Sequence, residues 1–379
     1  MNITVAMDSF KGSLSSIEAG YAVEAGLLRA APDARIWVRP LADGGEGTCA
    51  ALFTCKADGH FRECTVTGPL GTPVRARYIL ASDGQSLMEM AKAAGLPLVP
   101  PSLRNPARTT TFGLGEMILD AIGQGCRDFI IGIGGSATND GGAGMLQALG
   151  FDLLDERGLP IPRGGMGLQQ IARIDTRRVR PELKDCRFRI ACDVTNPLCG
   201  PDGCSAVYGP QKGADAAMVD ALDQALAHYA EVARQAFPDA DPDFPGSGAA
   251  GGLGFAFRTF LNGTLCSGAE LVLTESRLES YIVRSDLVIT GEGRLDGQTV
   301  QGKGPAAVAA LAKKHGKPVI ALAGGLGDHA SDCLRAGVSA CFSIVPGPCT
   351  LKEALHPYTA RTNLTRTAEQ VLRTLLLFA

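Results

Sequence analysis

Five segments of this chain follow one plan: a short apolar run enters a polar, glycine-rich loop and then a stretch with apolar residues at helical spacing. Two lie at the N-terminus, where strands expected at Ile3–Met7 and Arg35–Arg39 enter the loops Asp8–Ser13 and Ala42–Thr48. Three lie toward the C-terminus, with strands expected at Asp286–Ile289, Val319–Leu322 and Ala340–Ile344 and helices at Ala306–His315, Ala330–Ala336 and from Tyr358 onward. Strand–helix–strand units favour parallel pairing through right-handed crossovers, because a tight hairpin cannot return the chain in the same direction. The pattern predicts an α/β protein with a doubly wound, five-stranded parallel sheet whose two parts are separated in sequence.

The stretch between them has another texture. From about Thr65, short apolar runs joined by turns predict an antiparallel meander. Beyond it, helices are expected at Thr110–Ile122, Gly144–Leu149 and Ala217–Ala236, and strands at Asp128–Ile133 and Phe188–Cys192. We expect a discontinuous first domain of residues 1–64 and 280–379 and an inserted mixed α/β domain of residues 65–279.

Composition narrows the function classes. Of 379 residues 48 are glycine, well above the roughly 7% of average usage. They follow no period of three and form no linker, so they serve local backbone needs. With 36 basic and 39 acidic residues and a net charge of -3, the chain has no like-charged run suited to nucleic acid or a membrane surface. The N-terminus lacks the parts of a signal peptide, and no stretch approaches the ~18 apolar residues of a membrane helix, which reads as a soluble cytoplasmic protein. The 12 cysteines include no C-x-x-C pair and read as reduced thiols; the spacing of Cys192, Cys199 and Cys204 does not match zinc patterns.

In doubly wound sheets the ligand lies beyond the carboxyl ends of the strands, which directs attention to the loops. Asp8, Ser9, Lys11 and Ser13 offer a carboxylate, an ammonium and hydroxyls ahead of a helix, suited to an anion or, equally, to capping that helix. Asp43 and Glu46 stand among three glycines, a setting for one ligand or a hydrated Mg²⁺, or for a plain turn. The cluster Gly132–Gly144, with Gly134, Gly135, Ser136, Thr138, Asn139 and Asp140, has side chains small enough for close approach to a phosphate. Its likeness to a dinucleotide fingerprint is weak, because no acid follows at the end of a second strand, and Gly246–Gly251 follows a proline rather than a strand. Gly297–Lys303 fits a P-loop spacing but lacks the hydroxyl residue after the lysine. Glu292, Arg294, Asp296 and Lys303 still bring acids and cations together. After another strand, Asp193 and Asn196 precede Lys212; a general base and a charge clamp, or an Asp turn and a surface lysine, fit equally well. None of the five histidines falls in these loops and no G-x-S-x-G elbow occurs, so triad hydrolysis recedes and phosphoryl transfer, which needs positioning and charge neutralisation, suits the residues.

Five motifs, Asp8–Ser13, Ala42–Thr48, Gly134–Gly142, Asp193–Leu198 and Thr290–Asp296, resemble in order and spacing those of the bacterial type I glycerate kinases, and the likeness covers essentially the whole chain. The resemblance implies ATP-dependent phosphorylation of D-glycerate to 2-phosphoglycerate in the cytoplasm. It also implies two domains, a flavodoxin-like sheet and a second α/β domain, with the active site in the cleft between them. Roles are assigned by residue type and loop position. Asp193 is the expected base; Lys11, Lys212 and Lys303 neutralise charge; Gly134, Gly135, Ser136, Thr138, Asn139 and Asp140 cradle the nucleotide phosphates; Asp8, Ser9, Asn196 and Arg294 hold substrate; Asp43, Glu46, Glu292 and Asp296 hold Mg²⁺. Expected partners are ATP and D-glycerate, without nucleic acid or membrane, and a homodimer is left open. Residue types alone do not choose between the 2- and 3-hydroxyl. A sugar-acid-binding protein without chemistry, or a dehydrogenase, leaves so many acid-and-lysine loops unexplained.

Overall fold

The structure, a computed structural model, describes residues 1–42, 51–52, 59–296, 304–328 and 330–377. The chain divides into two compact units, one from Met1–Asp43, Ala50–Ala57 and Ala269–Ala379, the other from Gly44–Cys49 and Asp58–Gly268.

The first unit is built on β1 (Asn2–Met7), β2 (Arg35–Val38), β11 (Leu287–Leu295), β12 (Val319–Leu326) and β13 (Ala340–Ser343), numbered along the whole chain. All pairings are parallel, in the order β13-β12-β11-β1-β2. Counted within the unit this is 2-1-3-4-5, the flavodoxin-like order, as the alternating segments and the family resemblance led us to expect. Successive side chains of β1 serve opposite faces. Ile3, Val5 and Met7 join the core under the helices Ser16–Ala30 and Pro357–Leu376, while Ala6 joins the core under Gly304–Lys314. Ser15 caps the first helix in a reciprocal capping box with Glu18, satisfying two otherwise orphaned amides. This helix packs so tightly on Pro357–Leu376 that a Cβ at Gly26 would run into the Thr365 carbonyl.

One expectation is corrected here. The strand predicted to stop at Ile289 continues to Leu295, with Glu292 paired to Ala323, Arg294 to Gly325 and Leu295 to Leu326. Residues 290–295, at the start of the segment read as a loop, are therefore extended strand. Glycine makes this possible: a Cβ at Gly291 would strike the Leu322 carbonyl on the neighbouring strand.

The second unit contains β3 (His60–Thr67), β4 (Pro73–Leu80), β5 (Gln85–Glu89), β6 (Asp128–Gly132), β9 (Arg187–Ala191) and β10 (Thr264–Cys266), in the order β10-β9-β6-β5-β4-β3. The first three form the expected meander, and β5, β6, β9 and β10 run parallel. A small hairpin pairs β7 (Asp152–Leu154) with β8 (Arg173–Asp175). The core gathers Phe129, Phe188, Phe257 and Phe260 from strands and the helix Ala249–Leu261, with Leu226 and Tyr229 from Ala216–Ala236. Among the described residues no helix is long and apolar enough to cross a membrane.

Candidate active site

In the flavodoxin-like order the chain switches direction between β1 and β11, so their carboxyl ends diverge and leave a crevice. A cavity of about 690 Å³ lies there, lined by Asp8, Ser9, Lys11, Glu292, Arg294 and Asp296. Asp8 is only 9% exposed. Its Oδ1 accepts the Ser9 amide at 2.6 Å, and a Cβ at Gly304 would lie 3.1 Å from its Oδ2, so the start of the helix Gly304–Lys314 abuts this carboxylate. The positive end of that helix favours an anion there. Asp296 pairs with Arg294 Nε at 3.6 Å. Burial pushes the Cys333 thiol up, and the charges of Glu292, Asp332 and Asp296 add to the push. Ser13 also lines the cavity, and among the described residues its buried hydroxyl has no hydrogen-bond partner.

The glycine-rich loop after β6, in the second unit, is organised differently. Gly134 and Gly135 are exposed, but Ser136 is 6% exposed and Thr138, Asn139 and Asp140 are fully buried. Asp140 Oδ2 accepts from the Thr111 amide at 2.8 Å, the Thr111 hydroxyl at 2.9 Å and the Gly144 amide at 3.3 Å, and Oδ1 from the Gly142 amide at 3.3 Å. Burial pushes its carboxyl up, and these donors pull the other way. Asn139 Nδ2 donates to Ser205 at 2.8 Å. Lys212, 2% exposed, donates to the Thr138 carbonyl at 2.7 Å, and burial lowers its pKa to about 8. Over this loop lies the second glycine cluster: the Gly141 amide donates to the Gly251 carbonyl at 2.9 Å, and a Cβ at Gly252 would sit 2.8 Å from Gly141 Cα.

The side chains of Thr138, Asn139 and Asp140 are buried, and Lys212 is buried rather than a surface lysine. The buried amides and carbonyls of a tightly folded loop need partners, and Asp140 and Lys212 supply some of them, whereas among the described residues Thr138 Oγ1 and Asn139 Oδ1 have no hydrogen-bond partner. Asn196 is likewise engaged at both ends, donating to the Asp202 carbonyl at 2.8 Å and accepting from the Tyr208 hydroxyl at 2.7 Å. Asp193, by contrast, is exposed beyond β9, its Oδ1 held by the Ser267 hydroxyl at 3.1 Å and the Gly268 amide at 2.9 Å. Asp43, Glu46 and Lys303 lie outside the described residues.

Six expected residues, Asp8, Ser9, Lys11, Glu292, Arg294 and Asp296, thus share one cavity. The sequence reading missed its other wall, formed by Gly324, Gly325 and Leu326 after β12, Ile344 and Val345 after β13, and Leu351, Leu355 and Asn363 from the last two helices. The run Ala323–Gly327, a fifth glycine-bearing strand end, was the available signal. Among the described residues no three His, Cys, Asp or Glu side chains form a ready-made metal cluster.

The profile of the glycerate kinase family matches residues 3–376. Glycerate 2-kinase of Escherichia coli (strain K12) is 48% identical over 99% of this chain and 98% of its own. Glycerate kinase of Bacillus subtilis (strain 168) is 49% identical over 93% of each. A crystal structure from Salmonella typhimurium LT2, provisionally named glycerate kinase 2, superposes with a TM-score of 0.90 at 46% identity, covering 100% of this chain and 98% of that one. A family match spanning nearly the whole chain, joined to relatives this similar, makes the protein an enzyme that belongs to the glycerate kinase family.

Proposed function

We propose that the protein transfers the γ-phosphoryl group of ATP to the 2-hydroxyl of D-glycerate in the cytoplasm. The observation that carries this reading is the charged cavity at the β1/β11 switch point in a chain matched end to end by the glycerate kinase family. The Escherichia coli relative is named a 2-kinase, which favours the 2-hydroxyl.

In this reaction the hydroxyl oxygen forms a bond to the γ-phosphorus, the bond to the β,γ-bridging oxygen breaks, and ADP leaves with that electron pair. Asp193 accepts the hydroxyl proton; its Oδ1 is anchored by Ser267 and Gly268, which fixes the carboxylate's direction. Lys11 and Arg294 offset the charge of the substrate carboxylate and the phosphates, with Asp8 and Ser9 orienting glycerate hydroxyls. Gly134 and Gly135 are the part of their loop left exposed for a phosphate.

Glu292 and Asp296 line one cavity, and among the described residues no third carboxylate clusters on them, which fits Mg²⁺, an ion that keeps waters and phosphate oxygens and takes only one or two protein carboxylates. Bound there, it would neutralise charge on the phosphate oxygens. Asp43, Glu46 and Lys303 keep the same charge-handling assignments on sequence position alone. The test is an assay with ATP, Mg²⁺ and D-glycerate in which enolase alone consumes the product. A requirement for added phosphoglycerate mutase would sink the 2-kinase reading in favour of the 3-hydroxyl, and no ATP consumption would favour a binding protein.

A further inference from the structure

The cavity of the first unit has two unlike sides, and the strand order sets them apart. Asp8, Lys11, Glu292, Arg294 and Asp296 come from the ends of β1 and β11, whereas Leu326, Ile344, Val345, Leu351 and Leu355 come from the ends of β12 and β13 and the helix Leu351–Leu355. From β1 to β13 are three strand spacings, about 14 Å. A three-carbon acid fills only the charged end of such a space. Leu326 is 45% and Leu351 74% exposed, an apolar rim that costs free energy in water and gains it when covered. Between the two sides, among the described residues, Gly325 has no atom within 4 Å of where a Cβ would stand beyond its chain neighbours, so the floor is open there. Asn363 lines the same cavity, and among the described residues its amide makes no hydrogen bond.

We infer that this apolar side is the base subsite of the phosphoryl donor, with the purine packed against Leu326 and Leu351 and its polar edge read by the Asn363 amide. The ligand this calls for carries a flat apolar group at one end and multiple negative charge at the other, about one nucleotide apart; a nucleoside triphosphate has that form. An asparagine amide offers a donor and an acceptor side by side, complementary to the amino group and ring nitrogen of adenine. The inference rests on the reading of the protein as an ATP-dependent kinase and adds where the base is held, which neither the glycine loops nor the acid motifs assign.

Two variants test it. Leu351 is exposed at the first turn of a short helix, so Leu351→Asp leaves the core intact while placing charge on the rim. It should raise KM for ATP about tenfold or more and leave KM for D-glycerate within about twofold. Asn363→Leu should erode the preference for ATP over GTP by about fivefold or more. An unchanged KM for ATP in Leu351→Asp, or equal rises for both substrates, overturns the inference. So does an unchanged nucleotide preference in Asn363→Leu.

Equilibrium titrations separate this from the kinase reading. Wild-type protein should bind adenosine and inorganic tripolyphosphate, and Leu351→Asp should lose the first and keep the second. If the wild type phosphorylates no glycerate but adenosine binding is lost in the variant, the base subsite stands and the kinase reading falls. If glycerate is phosphorylated and the variant binds adenosine normally, the base subsite falls alone.

Discussion

Both units carry glycine-rich strand ends with acids and a lysine, and they spend them in opposite ways. In the first unit Asp8, Lys11, Glu292 and Asp296 line a cavity, and among the described residues no atom stands within 4 Å of where a Cβ at Gly325 would lie, its chain neighbours apart. In the second, Asp140, Asn139 and Lys212 are buried against their own loop, and a Cβ at Gly251 would strike the Thr138 carbonyl of the other glycine cluster. The same residue types mark a binding space in one place and an internal scaffold in the other. The deciding variable is whether the buried backbone groups of the loop find partners within the main chain or need side chains to supply them.

The largest expected effect tests whether the second unit has a chemical part beyond its scaffold. Asp193, unlike Asp140, stands exposed, and Asn in its place still offers an Oδ1 to Ser267 and Gly268. Asp193→Asn should therefore lower kcat by roughly 10²–10⁴ with an unchanged urea midpoint. Near-normal turnover would confine the chemistry to other groups. Next in size, Gly251→Ala should lose about 3 kcal/mol or more of stability, because the residue has φ of +70° and its new methyl meets the Thr138 carbonyl. A midpoint within experimental error of wild type would mean that the two glycine clusters are not pressed together.

Lys212 separates scaffold from site by pH. Folding lowers its pKa from 10.5 to about 8 by burial, only partly opposed by the charges of Cys204 and Asp140. Between those values the unfolded chain holds the proton that the folded chain has released. Stability from this group therefore rises with pH across that window, by as much as ~3 kcal/mol in total. The burial cost is fully present below pH 8. Comparing urea unfolding of wild type and Lys212→Met at pH 7.5 and pH 9.5, values on the order of the window's edges, should show the rise in wild type and its loss in the variant. Parallel curves would place Lys212 in contact with water or an anion.

Much of the first unit was legible because alternation is a local signal. Each apolar run followed by a polar loop and a helical period marks one crossover, and five of them leave few sheet orders. The six cavity residues from β1 and β11 were legible for the same reason, since strand ends bring ligands together in this topology. Burial within the loop after β6 was not, because Asp140 looks alike in sequence whether its acceptors meet a phosphate or the amides of Thr111, Gly142 and Gly144. The length of β11 was hidden by glycines that signal a turn but here serve close strand contact. The apolar wall was hidden by distance, as Leu326, Leu351 and Asn363 belong to three separate elements and form no motif.

The smallest expected effect bears most directly on the contrast between the two kinds of glycine. Gly325 lies on β12, has no left-handed backbone and would carry a methyl into empty cavity. Alanine there adds no clash and reduces the freedom of the unfolded chain, so Gly325→Ala should change stability by no more than about 1 kcal/mol, and in the favourable direction. The same methyl narrows the floor between the charged and apolar sides, so KM for a ligand spanning both should rise a few-fold. Thermal unfolding and steady-state kinetics on one preparation read both quantities. The sign pattern matters more than the size: Gly251→Ala costs stability through packing, whereas Gly325→Ala costs binding alone. A loss of stability at Gly325 comparable to that at Gly251 would mean that the first unit's glycines, too, are held by contacts rather than kept for a ligand.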